Sequence, residues 1–205
     1  MKLIASYKKL TNLKPRGFWP GFTIGLFYFG WIFWFFWSVY SLLISGISNS
    51  ILAFVIILLP FAITIVSMSF FWGGFSFFLL RFFKTAHLTL LPVLSAGTFV
   101  LAEYLRSWFY GILWAGKGSL LGMHWTFGNP AYFLSNFGLI RESASVWGIY
   151  GIDFVMISIV STFVLLIKDE RRNKKQLFYG MLAVVFILFL TSYLLTSRFE
   201  NKDDK

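Results

Sequence analysis

The chain has 205 residues, 58% of them hydrophobic and 22% aromatic, with a mean hydropathy of +0.75; soluble domains run at roughly 45 to 50% apolar, so the composition excludes a water-soluble globular fold and points to the membrane. A formal net charge of +10 would direct a soluble protein toward nucleic acid, but here the basic residues stand between apolar runs, where they orient helices and meet anionic headgroups. The chain contains no cysteine, which excludes disulfides, thiolate metal sites and thiol nucleophiles within it.

Residues 1–17 carry Lys2, Lys8, Lys9, Lys14 and Arg16 ahead of a long aromatic run. No small-residue cleavage site closes a short apolar core, so this basic N-terminus is expected to lead into a retained signal anchor. A spanning helix needs about 20 mostly apolar residues, each rising about 1.5 Å. Five stretches satisfy that requirement: residues 18–44, 51–80, 88–104, 143–167 and 177–197. The predicted fold is therefore all-α, a single polytopic transmembrane bundle over 18–197 with a long aromatic-rich outer loop at 105–142 and a polar tail at 198–205. Pro60 falls inside the second span and is expected to kink it.

Short cytoplasmic loops retain Lys and Arg during insertion. With the N-terminus inside, most of the basic residues fall on the cytoplasmic side: the five named above, Arg81 and Lys84, and the group Lys168, Arg171, Arg172, Lys174 and Lys175. Arg106, Lys117, Arg141 and the tail's Arg198, Lys202 and Lys205 remain outside. The alternation is self-consistent for five spans, N-terminus in and C-terminus out.

The 105–142 loop is too apolar for a disordered linker. Trp108, Phe109, Tyr110, Trp114, Trp125, Phe127, Tyr132, Phe133 and Phe137 alternate there with glycines. Irregular backbone at membrane depth survives only when buried in protein or lining a wet cavity, so a partly helical cap at the lipid interface is expected.

Ionisable residues inside apolar runs are costly and are either paired or functional. Glu103 and Arg106, three apart at the expected end of the third helix, share a face; they form either a structural ion pair or part of a site. Asp153 lies just inside the fourth helix and is expected to cap it or to pair with Arg106 or Arg141. His87 and His124 are expected on opposite sides of the membrane, which leaves no histidine-based metal site. No phosphate-cradling glycine motif, nucleophile elbow or cofactor motif stands in a sensible context, and the aromatic runs lack the basic aqueous groove of a nucleic-acid platform.

The block Glu103, Tyr104, Leu105, Arg106, followed by Gly111 and Trp114 and then by Ala144, Gly148, Tyr150, Gly151 and Phe154, resembles the membrane portion of the apolipoprotein N-acyltransferase family. Gly17, Phe18, Gly21, Gly25, Phe29, Trp34 and Ser38 add a weaker likeness in the first helix, so that the resemblance covers residues 17–167. Three departures stand out. Tyr110-Gly111-Ile112-Leu113-Trp114 lacks the family's proline, the stretch from Trp114 to Ala144 is longer than usual with His124 to Pro130 as an apparent insertion, and the outer nitrilase-like domain is missing with its Glu, Lys and Cys triad. In the family that thiol takes an acyl chain from phospholipid and passes it to the N-terminal amine of a lipoprotein, covalent catalysis by an activated thiolate.

The resemblance implies the bacterial cytoplasmic (inner) membrane, phospholipid and lipoprotein as ligands, no cofactor, and a chain that is split or truncated and acts with a separate nitrilase-like catalytic subunit. Without cysteine it has no catalytic residue of its own. Glu103, Arg106 and Trp114, with His124 and Trp125, are expected to shape the outer mouth for lipid, with Arg106 offering its planar fork to a phosphate; Asp153 and Arg141 are assigned structural polar roles. The alternative is a small lipid-handling or transporter-type membrane protein without acyl transfer, and a third class is a structural assembly subunit.

Overall fold

A computed structural model describes residues 17–40, 46–85, 88–115 and 124–168, together with Tyr179, Gly180, Leu182, Phe186, Leu190 and Tyr193. Among the described residues every regular element is helical. The described residues form four α-helices in chain order: α1 (Phe18–Ile32), α2 (Ser50–Thr85), α3 (Leu91–Leu113) and α4 (Gly138–Lys168). Among the described residues three stretches are long and apolar enough to cross a membrane, Phe18–Val39, Ser50–Phe82 and Ile140–Ile167. The third expected span corresponds to α3, which is not among them. The fifth, 177–197, lies outside the described residues apart from the six helical positions just named, as do most of the N-terminus and the tail.

The chain divides into two compact units, Met1–Leu80 and Arg81–Lys205. In the first unit glycines at every fourth position of α1 bring it against α2. A Cβ on Gly21 would collide with the Trp72 carbonyl, and one on Gly25 would stand 2.9 Å from Ser69 Cα. Small residues repeated at this spacing let two helix backbones approach in a membrane. Phe29 and Met68 are buried beside this seam, and Tyr28 stacks on Trp72 with centroids 4.7 Å apart.

The expected first helix runs to residue 44; the α-helix instead ends at Ile32, and Phe33–Val39 continues as a 3-10 helix. Successive aromatics crowd this stretch, and the tighter turn places residues three apart over one another, as with Phe33 and Phe36 at 6.0 Å and Trp34 and Trp37 at 6.4 Å. α2 opens on Asn49, whose Oδ1 accepts from the amides of Ile51 and Leu52 at 3.0 and 3.2 Å, the usual N-cap arrangement. The helix then continues through Pro60.

In the second unit α3 and α4 pack along their length. The buried face of α3 follows helical spacing through Ser95, Phe99, Ala102, Glu103, Arg106 and Tyr110. α4 buries Ile152, Asp153, Ser158, Thr162 and Leu165, and Leu91 meets Leu165 at one end. α3 extends to Leu113, nine residues beyond the expected boundary, because Glu103 and Arg106 neutralise one another inside the helix and need not terminate it. α4 begins at Gly138, ahead of the expected Ser143.

The connection expected at 105–142 accordingly contracts at both ends, and it contains a 3-10 turn at Pro130–Leu134. Gly148, at φ +66° and ψ 177°, divides α4 into two arms. The second arm, 149–168, is about 30 Å long at 1.5 Å per residue, the thickness of a bilayer core.

Candidate functional site

The site begins with one turn of α3. Glu103 and Arg106 occupy successive positions of its buried face, and both side chains are wholly excluded from solvent. Arg106 Nε and Nη2 donate to Glu103 Oε2 at 3.0 and 2.8 Å. Its Nη1 reaches across to the carbonyl oxygen of Phe127 at 2.9 Å. The guanidinium therefore joins the helix to the returning connection, with its fork directed at protein acceptors.

A second strand of the same tie comes from the backbone, where the Trp125 amide donates to the Ser107 carbonyl at 3.1 Å. The hydroxyl of Ser107 is itself taken up by the Glu103 carbonyl at 2.8 Å. Gly128 then turns the chain at φ +76°, a conformation glycine adopts without a Cβ penalty.

Asn129, next in the chain, is almost wholly buried. Its amide nitrogen donates to Asp153 Oδ2 at 2.5 Å and stands 3.4 Å from Glu103 Oε2. Its carbonyl oxygen caps the following 3-10 turn by accepting from the Ala131 amide at 2.8 Å. One side chain thus links α3, the connection and α4. Asp153 was expected to cap its helix or to pair with an arginine; its bonded partner is the Asn129 amide. Arg106 is bonded to Glu103, and Arg141 lies on the exposed surface of the first arm of α4.

His124 lies beside this buried group. Its Nε2 is 2.8 Å from the hydroxyl of Tyr150, and its ring has centroid distances of 5.3 Å to Tyr104, 5.7 Å to Trp108 and 5.8 Å to Tyr150. Trp125 packs its ring edge-on against Tyr110 at 5.4 Å. Trp114 caps the end of α3, donating its backbone amide to the Tyr110 carbonyl at 3.2 Å. The structure therefore gathers Glu103, Arg106, Asp153, His124 and Trp125 around one junction and leaves Trp114 at its margin and Arg141 apart. A separate groove of about 220 Å³, almost entirely apolar, runs along α4 past Trp147, Ile152 and Ile159.

Asn129, the Phe127 carbonyl and the Tyr104–Tyr150 contact were not anticipated as parts of this site. Gly128-Asn129-Pro130 is a turn signal, which announces a reversal of the chain, whereas the burial of the amide between two carboxylates depends on the return of the connection to α3. The arrangement can hold a rigid junction and present aromatic and imidazole groups beside it. It contains no thiol, and the hydroxyl it brings within hydrogen-bond reach of an imidazole is that of Tyr150. No family model, curated protein or solved structure matches this chain.

Proposed function

We propose that the chain is the membrane part of a phospholipid-to-lipoprotein N-acyltransferase system in a bacterial cytoplasmic membrane. In this reading it has five spans, its N-terminus inside and its C-terminus outside. A thiol-bearing outer domain takes the acyl group from a phospholipid ester as a thioester and releases lysophospholipid. The N-terminal amine of a diacylated lipoprotein then attacks the thioester, forming the amide and returning the thiol. The role of the present chain is to hold and orient the two lipid substrates at the outer mouth.

One observation supports this reading above the others. The separated segments that carry the family likeness, Glu103 to Arg106 and Gly148 to Phe154, meet through Asn129 in a single buried junction. Buried ionisable groups are expensive in a membrane and persist where function or architecture requires them. In this reading Glu103, Arg106 and Asp153, behind the His124 cluster, serve as a rigid support for a binding surface.

The test is reconstitution. The chain is co-expressed with a nitrilase-like domain bearing Glu, Lys and Cys, and transfer of a labelled acyl group from phospholipid to a diacylated lipopeptide amine is followed by mass spectrometry. Amide-linked product that requires both components is the expected result. Lipid binding by the chain without product under any pairing would favour the lipid-handling alternative.

A further inference from the structure

Away from the junction, the seam between α3 and α4 carries the hydroxyls of Ser95, Ser158 and Thr162. The two helices run antiparallel, with Leu91 against Leu165 at one end and Glu103 and Asp153 joined through Asn129 at the other. Ser95 lies one turn from Leu91 on the buried face of α3. Ser158, Thr162 and Leu165, spaced four and three apart, share one face of α4, so the face that brings Leu165 to Leu91 also turns both hydroxyls toward α3. All three polar residues are buried, Ser95 completely.

A hydroxyl inside a helix can turn back on the carbonyl four residues before it, as those of Thr98, Ser107 and Thr162 do at 2.7, 2.8 and 2.8 Å. Ser95 and Ser158 do not, and neither Oγ has a partner among the described residues. A hydroxyl buried without a bond retains its full desolvation cost, and in folded proteins such groups are held by ordered water. Counted from the leucine pair at about 1.5 Å per residue, Ser95 and Ser158 stand at levels about 4.5 Å apart along the seam. That is more than one O–H···O bond of about 2.8 Å covers, and within reach of two such bonds through a single water.

We propose that Ser95, Ser158 and Thr162 form a binding site for an internal water molecule between α3 and α4. The hydroxyls of Ser95 and Ser158 donate to the water oxygen. The water donates one hydrogen to Thr162 Oγ1, whose own hydrogen is committed to the Ser158 carbonyl, and about three bonds is the usual complement of a buried water. The class of ligand follows from the groups: neutral hydroxyls that between them need an acceptor and a donor are served by water, which is both, and not by an ion. The consequence is a polar tie at a level where Leu91, Leu165 and Phe99 otherwise supply apolar packing. It holds in register the two helices that carry Glu103 and Asp153, and it does not depend on acyl transfer.

The experiment uses the full chain in detergent, equilibrated with water enriched in oxygen-18 and exposed to brief X-ray pulses, with oxidised side chains read by mass spectrometry. Hydroxyl radical formed from a bound water labels the side chains beside it even where bulk solvent has no access. Phe99, 4% exposed and one turn from Ser95, should carry the label. Ser95→Ala combined with Ser158→Ala removes both donors and leaves an apolar space that stays dry, so labelling of Phe99 should fall about threefold or more; elution as a single species shows that the variant is folded, and the single variants are read in the same way. Unfolding midpoints of the two single variants and the double variant complete the test. Their shifts should be non-additive, the second substitution lowering the midpoint less than the first because the shared water is already lost. Phe99 unlabelled in the parent chain, or labelled equally in the folded double variant, overturns the proposal. Non-additive shifts with no label on Phe99 identify a direct bond between Ser95 and Ser158 and exclude the water. Additive shifts overturn the proposal as well, since hydroxyls that serve only their own helices share no partner.

Discussion

Asn129 donates its amide to Asp153 Oδ2 at 2.5 Å, across 24 residues of sequence. Through that bond the connection after α3 is fixed to α4. A hydrogen bond to a charged partner is worth about 1.5–3 kcal/mol, and a buried group left unpaired incurs a desolvation penalty in addition. Asn129→Ala should therefore lower the midpoint of thermal unfolding in detergent. Asn129→Asp, which brings a third carboxyl group to Glu103 and Asp153, should lower it further. Equal midpoints for the parent and both variants would show that the junction does not hold the fold.

The Glu103–Arg106 pair should display strong coupling. Removing one partner of a buried pair costs about 3–5 kcal/mol, whereas replacing both with apolar groups is often close to neutral. Arg106→Met alone should destabilise severely, and Glu103→Leu with Arg106→Met should recover much of the loss. A double-mutant cycle on unfolding midpoints measures this. Additive effects would contradict the pairing seen at 2.8 Å.

The extent to which the sequence exposed this arrangement varied with the range of the interaction involved. Hydrocarbon-length apolar runs are a local property, and α1, α2 and α4 follow from them. An acid and a base within an apolar run suggest the end of a span, whereas the two neutralise each other across one turn and the helix itself continues to Leu113. The 3-10 segment at Phe33–Val39 depends on aromatic crowding that hydropathy does not register. Glu103, Arg106 and Asp153 were visible as costly charges, but the partner of Asp153 was not, since its choice depends on where Gly128 turns the chain.

Helix approach in the first unit is testable at two glycines of α1. Gly21 faces the Trp72 carbonyl with no room for a methyl group, whereas Gly30 has only Ile65 Cδ1 nearby, at 3.9 Å. Gly21→Ala should reduce the yield of folded protein and lower its unfolding midpoint, and Gly30→Ala should be neutral or slightly stabilising. The measurement is size-exclusion elution of fluorescent fusions after heating. Indistinguishable behaviour of the two variants would remove the close approach from the account.

Gly148 should resist substitution for a different reason. Nothing lies within 4 Å of an added Cβ, but φ is +66° with ψ at 177°, a region essentially confined to glycine that costs other residues about 1–3 kcal/mol. Gly148→Ala should destabilise by that order or straighten α4. Distances between spin labels at Ser145 and Ser161, placed on either side of the kink, separate the two outcomes.

In the proposed topology these helices cross a bilayer with the connection between α3 and α4 outside. Because the chain has no cysteine, single cysteines can report it directly. In intact cells a membrane-impermeant maleimide should label Asn136→Cys from the outside, while Lys175→Cys should react only after permeabilisation. The reverse pattern, or equal labelling of both in intact cells, would contradict the account.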